Sequence, residues 1–342
     1  MVSAEEAAER LAWIVAAAAG GVAVTQALGR TDAPAVAIAQ ALTPLIAAAA
    51  VPASAIGVWR RRSSLVVMAA ASAVALGRVV APAIRRGHLS ASTDASPLTV
   101  AHANMLYTNH RHAREAAAAL VACDADVLAL SELTFVHERA LKASDVAGRY
   151  AHRFSRPARD SHGLAIWSKL PLVDCTVEPM IRRPGMVARI ETVDGPVRLI
   201  LAHPDPPMKW QWLTFWEPSL QHLDRLGHSA GPPTIIVADL NAARWHPPLR
   251  RLLNGGWRDA HEDAGHGLRA SWPERGLVPP FVRLDHALVD EHLDVIDVKE
   301  LNIPGSDHRG FVVTVALRDG NGQVGAPASL SISRKIEGAT PS

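Results

Sequence analysis

Three apolar stretches crowd the beginning of the chain: LAWIVAAAAGGVAVTQAL (11–28), APAVAIAQALTPLIAAAAVPASAIGVW (33–59) and LVVMAAASAVALGRVVAPAI (65–84). Each is long enough to cross a bilayer, because about 20 apolar residues rising 1.5 Å apiece span the hydrocarbon layer. Alanine favours the membrane only weakly, and Pro44, Pro52 and Arg78 dilute the signal further, although an arginine near a helix end can snorkel. A soluble alanine-rich bundle would need a polar face at helical spacing, and the first two stretches have none. Residues 1–84 are therefore read as a membrane region of about three transmembrane helices. Glu5, Glu6 and Glu9 stand where a cleaved signal peptide would carry basic residues, which argues against one.

The short loop RRRSS (60–64) carries three arginines, and basic loops tend to stay on the cytoplasmic side. With three spans, the N-terminus lies inside and everything after residue 85 outside, as expected of a multi-pass protein of the cell membrane. Arg85 and Arg86 pull the other way, and if the third stretch does not span, the remainder faces the cytoplasm.

Beyond a polar linker (85–97), short apolar runs alternate with amphipathic segments: LTVAHANML, ADVLALSEL, GLAIWSK, MVARIETV, VRLILAHP, PTIIVADLN, RLDHALV, LDVIDVKEL and GFVVTVALRD read as strands. Helices are expected at HRHAREAAAALVACD, around TFWEPSLQHLDRLG and near HPPLRRLL. Many strands with few helices imply an α/β or α+β sandwich with helices outside the sheets, spanning 98–318. The Gly/Ser/Pro-rich tail (319–342) is expected to be disordered. The 342 residues carry a formal net charge of +2, so the broad basic field of a nucleic-acid binder is missing and such a role is disfavoured without being excluded. Cys123 and Cys175 are too few for a disulfide framework and lack metal-knuckle spacing; whether they pair is left open.

Polar, chemistry-bearing residues recur where the apolar runs end. Asn104 follows LTVAHA, Glu132 ends ADVLALSE, His203 ends VRLILAH, Asp239 and Asn241 end TIIVADLN, Asp285 interrupts RLDHALV, and Asp307 with His308 precedes GFVVTVAL. Singly, each is more simply a turn former, a helix cap or a structural histidine. Together they supply what phosphate-ester hydrolysis requires: hard oxygen ligands for a divalent cation, donors for phosphoryl oxygens, and an acid/base pair.

Asn104, SEL with Glu132, HGLAIWSK (162–169), His203, ADLN (238–241), RLDHALV (283–289) and SDHRG (306–310), in this order, resemble the endonuclease/exonuclease/phosphatase superfamily, the pancreatic-deoxyribonuclease-like proteins. The resemblance covers about residues 98–317 and implies a four-layered α/β sandwich, two mainly antiparallel sheets flanked by helices, with the site at one end. It further implies that Glu132 is the principal ligand of Mg²⁺, or of Mn²⁺ in its place, with Asn104 near metal and phosphate and Asp307 completing the metal or its water shell. Asp239 would orient or deprotonate the attacking water, and Asn241 would hold a phosphate oxygen. His308 would stabilise the phosphoryl transition state or serve as acid/base, with Asp285 fixing its tautomer, and His203 would be a second phosphate-binding residue. The chain departs from the family pattern at Leu106, where some relatives carry an acid, at Ala238, usually glycine, and at Gly310, often proline.

The family acts on nucleic acids, phosphoinositides, sphingomyelin and other phosphate esters, so the resemblance alone does not name a substrate. AHPDPPMKWQWLTFW (202–216) places Trp210, Trp212 and Trp216 just after His203, as core residues, a membrane-facing lip, or a surface that stacks on bases. The N-terminal spans together with HPDPP are similar to actinobacterial membrane phosphoesterases related to teicoplanin-resistance proteins, which implies an extracytoplasmic catalytic domain acting on a lipid-linked phosphate or pyrophosphate of the cell envelope. A nuclease, with RHAR and RRPG as DNA-tracking segments, is the alternative, and a non-catalytic membrane protein that keeps the fold is a third reading.

Overall fold

The computed structural model describes residues 3–84, 87, 95–144, 146–276 and 278–318, so most of the linker and the whole 319–342 tail lie outside the described residues. Helices α1 (Ala4–Leu28), α2 (Pro34–Ala41), α3 (Thr43–Trp59) and α4 (Ser63–Ile84) make up the N-terminal region. Two of them, α1 and α4, are long and apolar enough to cross a membrane, and a third span exists if α2 and α3 count as one. The second apolar stretch, expected to be continuous, is bent by 72° between α2 and α3. Pro44 explains the break: its ring cannot donate an amide hydrogen and would collide with the Gln40 carbonyl one turn back. Thr43 Oγ1 donates to that carbonyl instead, at 2.7 Å.

Residues 98–318 form two six-stranded sheets. The first contains β1 (Leu98–Asn104), β2 (Val127–Ser131), β3 (His152–Arg156), β4 (Leu164–Ser168), β11 (Leu293–Leu301) and β12 (Gly310–Leu317), in the order β11-β12-β1-β2-β4-β3. The second contains β5 (Leu172–Met180), β6 (Arg183–Thr192), β7 (Gly195–Ala202), β8 (Thr234–Asp239), β9 (Arg258–Asp259) and β10 (Asp285–Val289), in the order β5-β6-β7-β8-β10-β9. Among the described strands, only the β1/β2 and β7/β8 pairs are parallel. Helices α5 (Ala113–Ala122), α6 (Phe135–Lys142) and the short α7 (Val146–Arg149) belong with the first sheet, and α8 (Trp210–Gly227), α9 (Pro247–Asn254) and the short α10 (Ala260–Asp263) with the second. The expected sandwich is thus present, while β3, β5, β9, α6 and the short α7 and α10 were not anticipated.

Strand alternation sorts the side chains into layers. Val100, Val127, Ala129, Leu199, Ile235, Val237, Ala287 and Val313 meet between the sheets. Their neighbours Ala101, Leu128 and Leu130 pack under α5, and Ile200, Ile236 and Leu288 pack under α8 and α9. This parity has a consequence at the strand ends. Continuing inward from Val100 leads to His102 and Asn104, from Leu199 to His203, from Val237 to Asp239, and from Ala287 back to Asp285. All of these ends lie together, because β1 pairs in parallel with β2, β7 with β8, Asp285 opposes Asp239, and His102 opposes Phe311 near the start of β12.

The sandwich also touches the N-terminal helices. Trp245 Nε1 donates to Ala41 O (2.7 Å), Arg250 Nη1 to Gln26 Oε1 (2.8 Å) and Arg251 Nη1 to Gly29 O (3.0 Å). Val80 and Ala83 of α4 pack against Ala243, Trp245 and Val282. At the other end of α1, Arg60 and Arg62 pair with Glu9, and Arg60 also with Glu5.

Candidate active site

Asn104, Glu132, His203, Asp239, Asp285 and His308 converge at the open end of the sandwich, and all are buried. Asn104 Nδ2 joins the two sheets, donating to Asp239 Oδ2 (2.9 Å) and lying 3.3 Å from Glu132 Oε1. Glu132 sits one residue past β2 with φ +54°, and Asn241 two past β8 with φ +50°. Left-handed backbone at a non-glycine residue costs energy and persists only where the surroundings hold it. Here the Tyr107 amide donates to Glu132 Oε2 (2.9 Å), and the Asn241 amide donates to Asp239 Oδ1 (3.1 Å) while Asn241 Nδ2 donates to Pro204 O (3.0 Å).

His308 Nδ1 lies 2.8 Å from Asp285 Oδ2, so the carboxylate holds the ring with Nδ1 protonated and Nε2 directed away from it. The backbone is fixed as well: Ser306 Oγ donates to Asn104 O (2.7 Å) and accepts from the His308 amide (3.1 Å). Although burial opposes charge on His308, the Asp285 and Asp239 carboxylates raise its pKa to about 10. Burial likewise pushes Asp285 up, but the His308 charge and the His308 hydrogen bond outweigh it and hold the carboxyl well below its usual range. The two form a buried ion pair at neutral pH.

The other two acids behave differently. Burial raises the pKa of Glu132, and Asp239 beside it raises it further. Burial also raises Asp239, against the pull of His308. His203 is lowered well below 6.5 by burial and by Arg183, whose Nη1 approaches its Nδ1 at 3.5 Å. That contact makes Nδ1 the acceptor and leaves the protonated Nε2 facing Asp239 Oδ2 at 3.4 Å.

Carboxylates that burial and mutual repulsion keep partly uncompensated are what a divalent cation would satisfy, so the donor set fits a metal. Ligand atoms of Asp239, Asp285 and His308 also lie within 4.8 Å of one another, but two of the three are committed to the His308–Asp285 ion pair, so this trio serves the acid/base pair and not a cation. Asp307, expected beside the metal, accepts a long 3.4 Å contact from Trp272 Nε1 through Oδ2, and its Oδ1 is buried without a hydrogen-bond partner among the described residues. An orphaned buried carboxylate oxygen also fits a cation or its water shell.

Several participants escaped the sequence reading. His102 donates from Nδ1 to Ala129 O (3.1 Å), and its Nε2 lies 3.3 Å from Asp285 Oδ1, so Asp285 stands between two imidazoles. Its position two residues before Asn104 on the same strand face was the available signal. At Gly310 an added Cβ would lie 2.5 Å from His102 O, so the start of β12 runs close against β1. The tryptophans divide: Trp216 is core and donates to Leu240 O (3.0 Å), Trp210 is 67% exposed, and Trp212 stacks under Lys209 at 4.2 Å. Arg182 and Arg183 of RRPG both bind Asp205, each at 2.8 Å, so one carboxylate already occupies both cations of that proposed DNA-tracking segment. Arg309 pairs with Glu274, outside the catalytic cluster. Both cysteines are free thiols.

A two-sheet sandwich whose open end gathers carboxylates, imidazoles and amides is by class a hydrolase fold for phosphate esters. The chain belongs to the Endonuclease/Exonuclease/phosphatase family, whose profile matches residues 101–308. Solved structures with the same fold include an endonuclease/exonuclease/phosphatase protein from Beutenbergia cavernae (15% identity, TM-score 0.52, covering 65% of this chain and 72% of that one). Another is D. rerio TDP2 complexed with single-strand DNA product (17%, 0.55, 64% and 99%). A third is a mannosyl-6-phosphatase from Bacteroides thetaiotaomicron (17%, 0.50, 64% and 100%). At these identities the likeness is one of fold. Among curated protein sequences, none is a significant match.

Proposed function

We propose that this chain is a membrane-anchored, Mg²⁺-dependent phosphoesterase, of the kind represented by the actinobacterial membrane phosphoesterases related to teicoplanin-resistance proteins, and that it hydrolyses a lipid-linked phosphate or pyrophosphate of the cell envelope. The observation that carries this reading is the joining of the Asn104–Asp239–His308–Asp285 cluster to helices that can span a membrane. Residues 98–318 are the catalytic domain and 1–84 the anchor. Arg60 and Arg62 cluster at the bundle end remote from the sandwich, which supports a cytoplasmic 60–64 loop and an extracytoplasmic catalytic domain.

Glu132 and Asp307, with Asn104 beside them, would hold the cation, which when bound neutralises charge developing on the phosphoryl oxygens. Asp239, anchored by Asn104 and the Asn241 amide, orients the attacking water and takes its proton. The Asn241 side chain, fixed by one amide hydrogen on Pro204 O, keeps the other for a phosphoryl oxygen. His203 presents Nε2–H to the same region. His308, kept as an imidazolium, stabilises the negative charge and can protonate the leaving oxygen through Nε2.

The test is hydrolysis by the detergent-solubilised full chain, with Mg²⁺ or chelator, of a phosphomonoester, a phosphodiester, a polyprenyl pyrophosphate and plasmid DNA. Mg²⁺-dependent turnover of the polyprenyl pyrophosphate is expected, with kcat about 10³-fold lower in His308→Ala. Survival of every substrate, or a His308→Ala variant equal to wild type, sinks the enzyme reading. Cleavage of DNA alone puts the nuclease in its place.

A further inference from the structure

A cavity of about 430 Å³ opens beside the catalytic cluster, within the range of about 300–1,000 Å³ usual for small-ligand sites. Its walls come from three parts of the chain: Ile38 and Leu42 at the end of α2, Met208 in the loop after β7, and Phe281 in the segment leading to β10. Asn241 and His308 line it as well. The two other polar side chains on the wall are already engaged. His246 accepts from the Ala243 amide (2.7 Å) and donates to Ala37 O (2.8 Å), while Trp272 Nε1 is directed to Asp307. The cavity is therefore apolar along its length, with free hydrogen-bonding capacity at its catalytic side.

We infer that this cavity receives the hydrocarbon chain of a phosphorylated lipid while its phosphate lies against Asn241 and His308; the inference rests on the phosphoesterase reading and assigns its tail-binding subsite. The 72° bend matters here. It turns α2, part of an otherwise spanning apolar stretch, toward the catalytic end, so one wall of the cavity is contributed by the membrane region itself. Ile38, Met208 and Phe281 each remain partly exposed, leaving an apolar mouth next to the bundle. Lys209 stacked on Trp212, with the exposed Trp210, places a cation and aromatic rings beside Met208, as suits the polar boundary of a bilayer. A nucleobase fits poorly, because its edge donors and acceptors would be buried against alkyl walls without partners.

The deciding measurement is photocrosslinking of the detergent-solubilised full chain with a dodecyl phosphate carrying a diazirine at the tail end, mapped by peptide mass spectrometry. Adducts are expected within 37–42, 206–208 or 281–284, and Ile38→Glu or Met208→Glu should cut labelling at least tenfold. The second variant lies in a loop outside the helices, so loss of bundle folding does not confound it. Adducts confined to the outward faces of α1 and α4, or labelling unchanged in both variants, would overturn the inference. Turnover is read separately, comparing dodecyl phosphate and ethyl phosphate. If wild type hydrolyses neither of these nor the polyprenyl pyrophosphate, phosphodiester and DNA, while crosslinks map to the cavity, the tail site stands and the enzyme reading fails. If it hydrolyses both equally while crosslinks map elsewhere, the converse holds.

Discussion

The N-terminal bundle and the sandwich bury opposite kinds of residue. Between the sheets the buried positions are mostly Val, Leu and Ile, as in any core driven by removing apolar surface from water. In the bundle the contact faces are largely alanine, Ala12, Ala16, Ala19, Ala50 and Ala69, while Leu11, Ile14 and Val67 point outward with exposures above 60%. That inversion is what lipid surroundings favour: a leucine gains little by leaving hydrocarbon, so helices associate through close backbone approach and inward hydrogen bonds. Gln26 donating to Thr43 (3.1 Å) and Thr31 donating to Gln40 (2.7 Å) supply the latter. The bundle thus has the outward apolar face of a candidate membrane region, and the sandwich the inward apolar core of a domain surrounded by water.

Substitutions can break that contrast. Leu199→Ala, between the sheets, should destabilise the sandwich by about 2–5 kcal/mol, whereas Leu11→Ala on the outer bundle face should leave unfolding in micelles nearly unchanged. Equal losses would mean that the bundle packs as a water-soluble domain does.

Acidification probes the junction of the halves. Burial lowers the pKa of His246 from 6.5 to about 4, and its neutral ring donates to Ala37 O. On acidification the unfolded chain takes up this proton first, so the contribution is complete above pH 6.5 and is lost as the pH falls from 6.5 to 4. Its size is on the order of 3 kcal/mol. Denaturant melts across this window should show a shallower slope for His246→Asn than for wild type; parallel slopes would remove His246 from the account. His261, lowered to about 4 by burial, leaves a residual slope in both proteins.

Overpacking the alanine seam with Ala16→Leu should cost about 1–3 kcal/mol, read from detergent-phase melting, while Ile14→Ala on the opposite face of α1 should not. The smallest expected effect is at His102. Replacing it by Asn should lower kcat by about tenfold with KM nearly constant, because the ring supports Asp285 from behind without lining the cavity. A lower melting temperature with unchanged kcat would reduce it to a packing residue.

Much of the site was legible before any coordinates. Asn104, Glu132, His203, Asp239, Asp285 and His308 each end or begin an apolar run, and the structure gathers all six. His102 was not singled out, since one histidine inside a strand reads as an ordinary core residue until Asp285, 183 positions later, is found opposite it. The strand β5 was overlooked because LVDCTVEPM is half-exposed at a sheet edge and shows no clean alternation. The bend at Leu42 lay hidden in an unbroken apolar run, although Pro44 was visible.

Local chemistry therefore determined which segments are apolar, which are strands, and which strand ends carry acids, amides and imidazoles, because those properties depend on side-chain type and spacing of two or 3.6 residues. That His102 backs Asp285 from the far side, that Asp239 is tied to Asn104 across the two sheets, and how α2 comes to wall a cavity beside them were decided only by the tertiary structure. These depend on contacts between residues far apart in the chain, and sequence periodicity contains no information on such pairings.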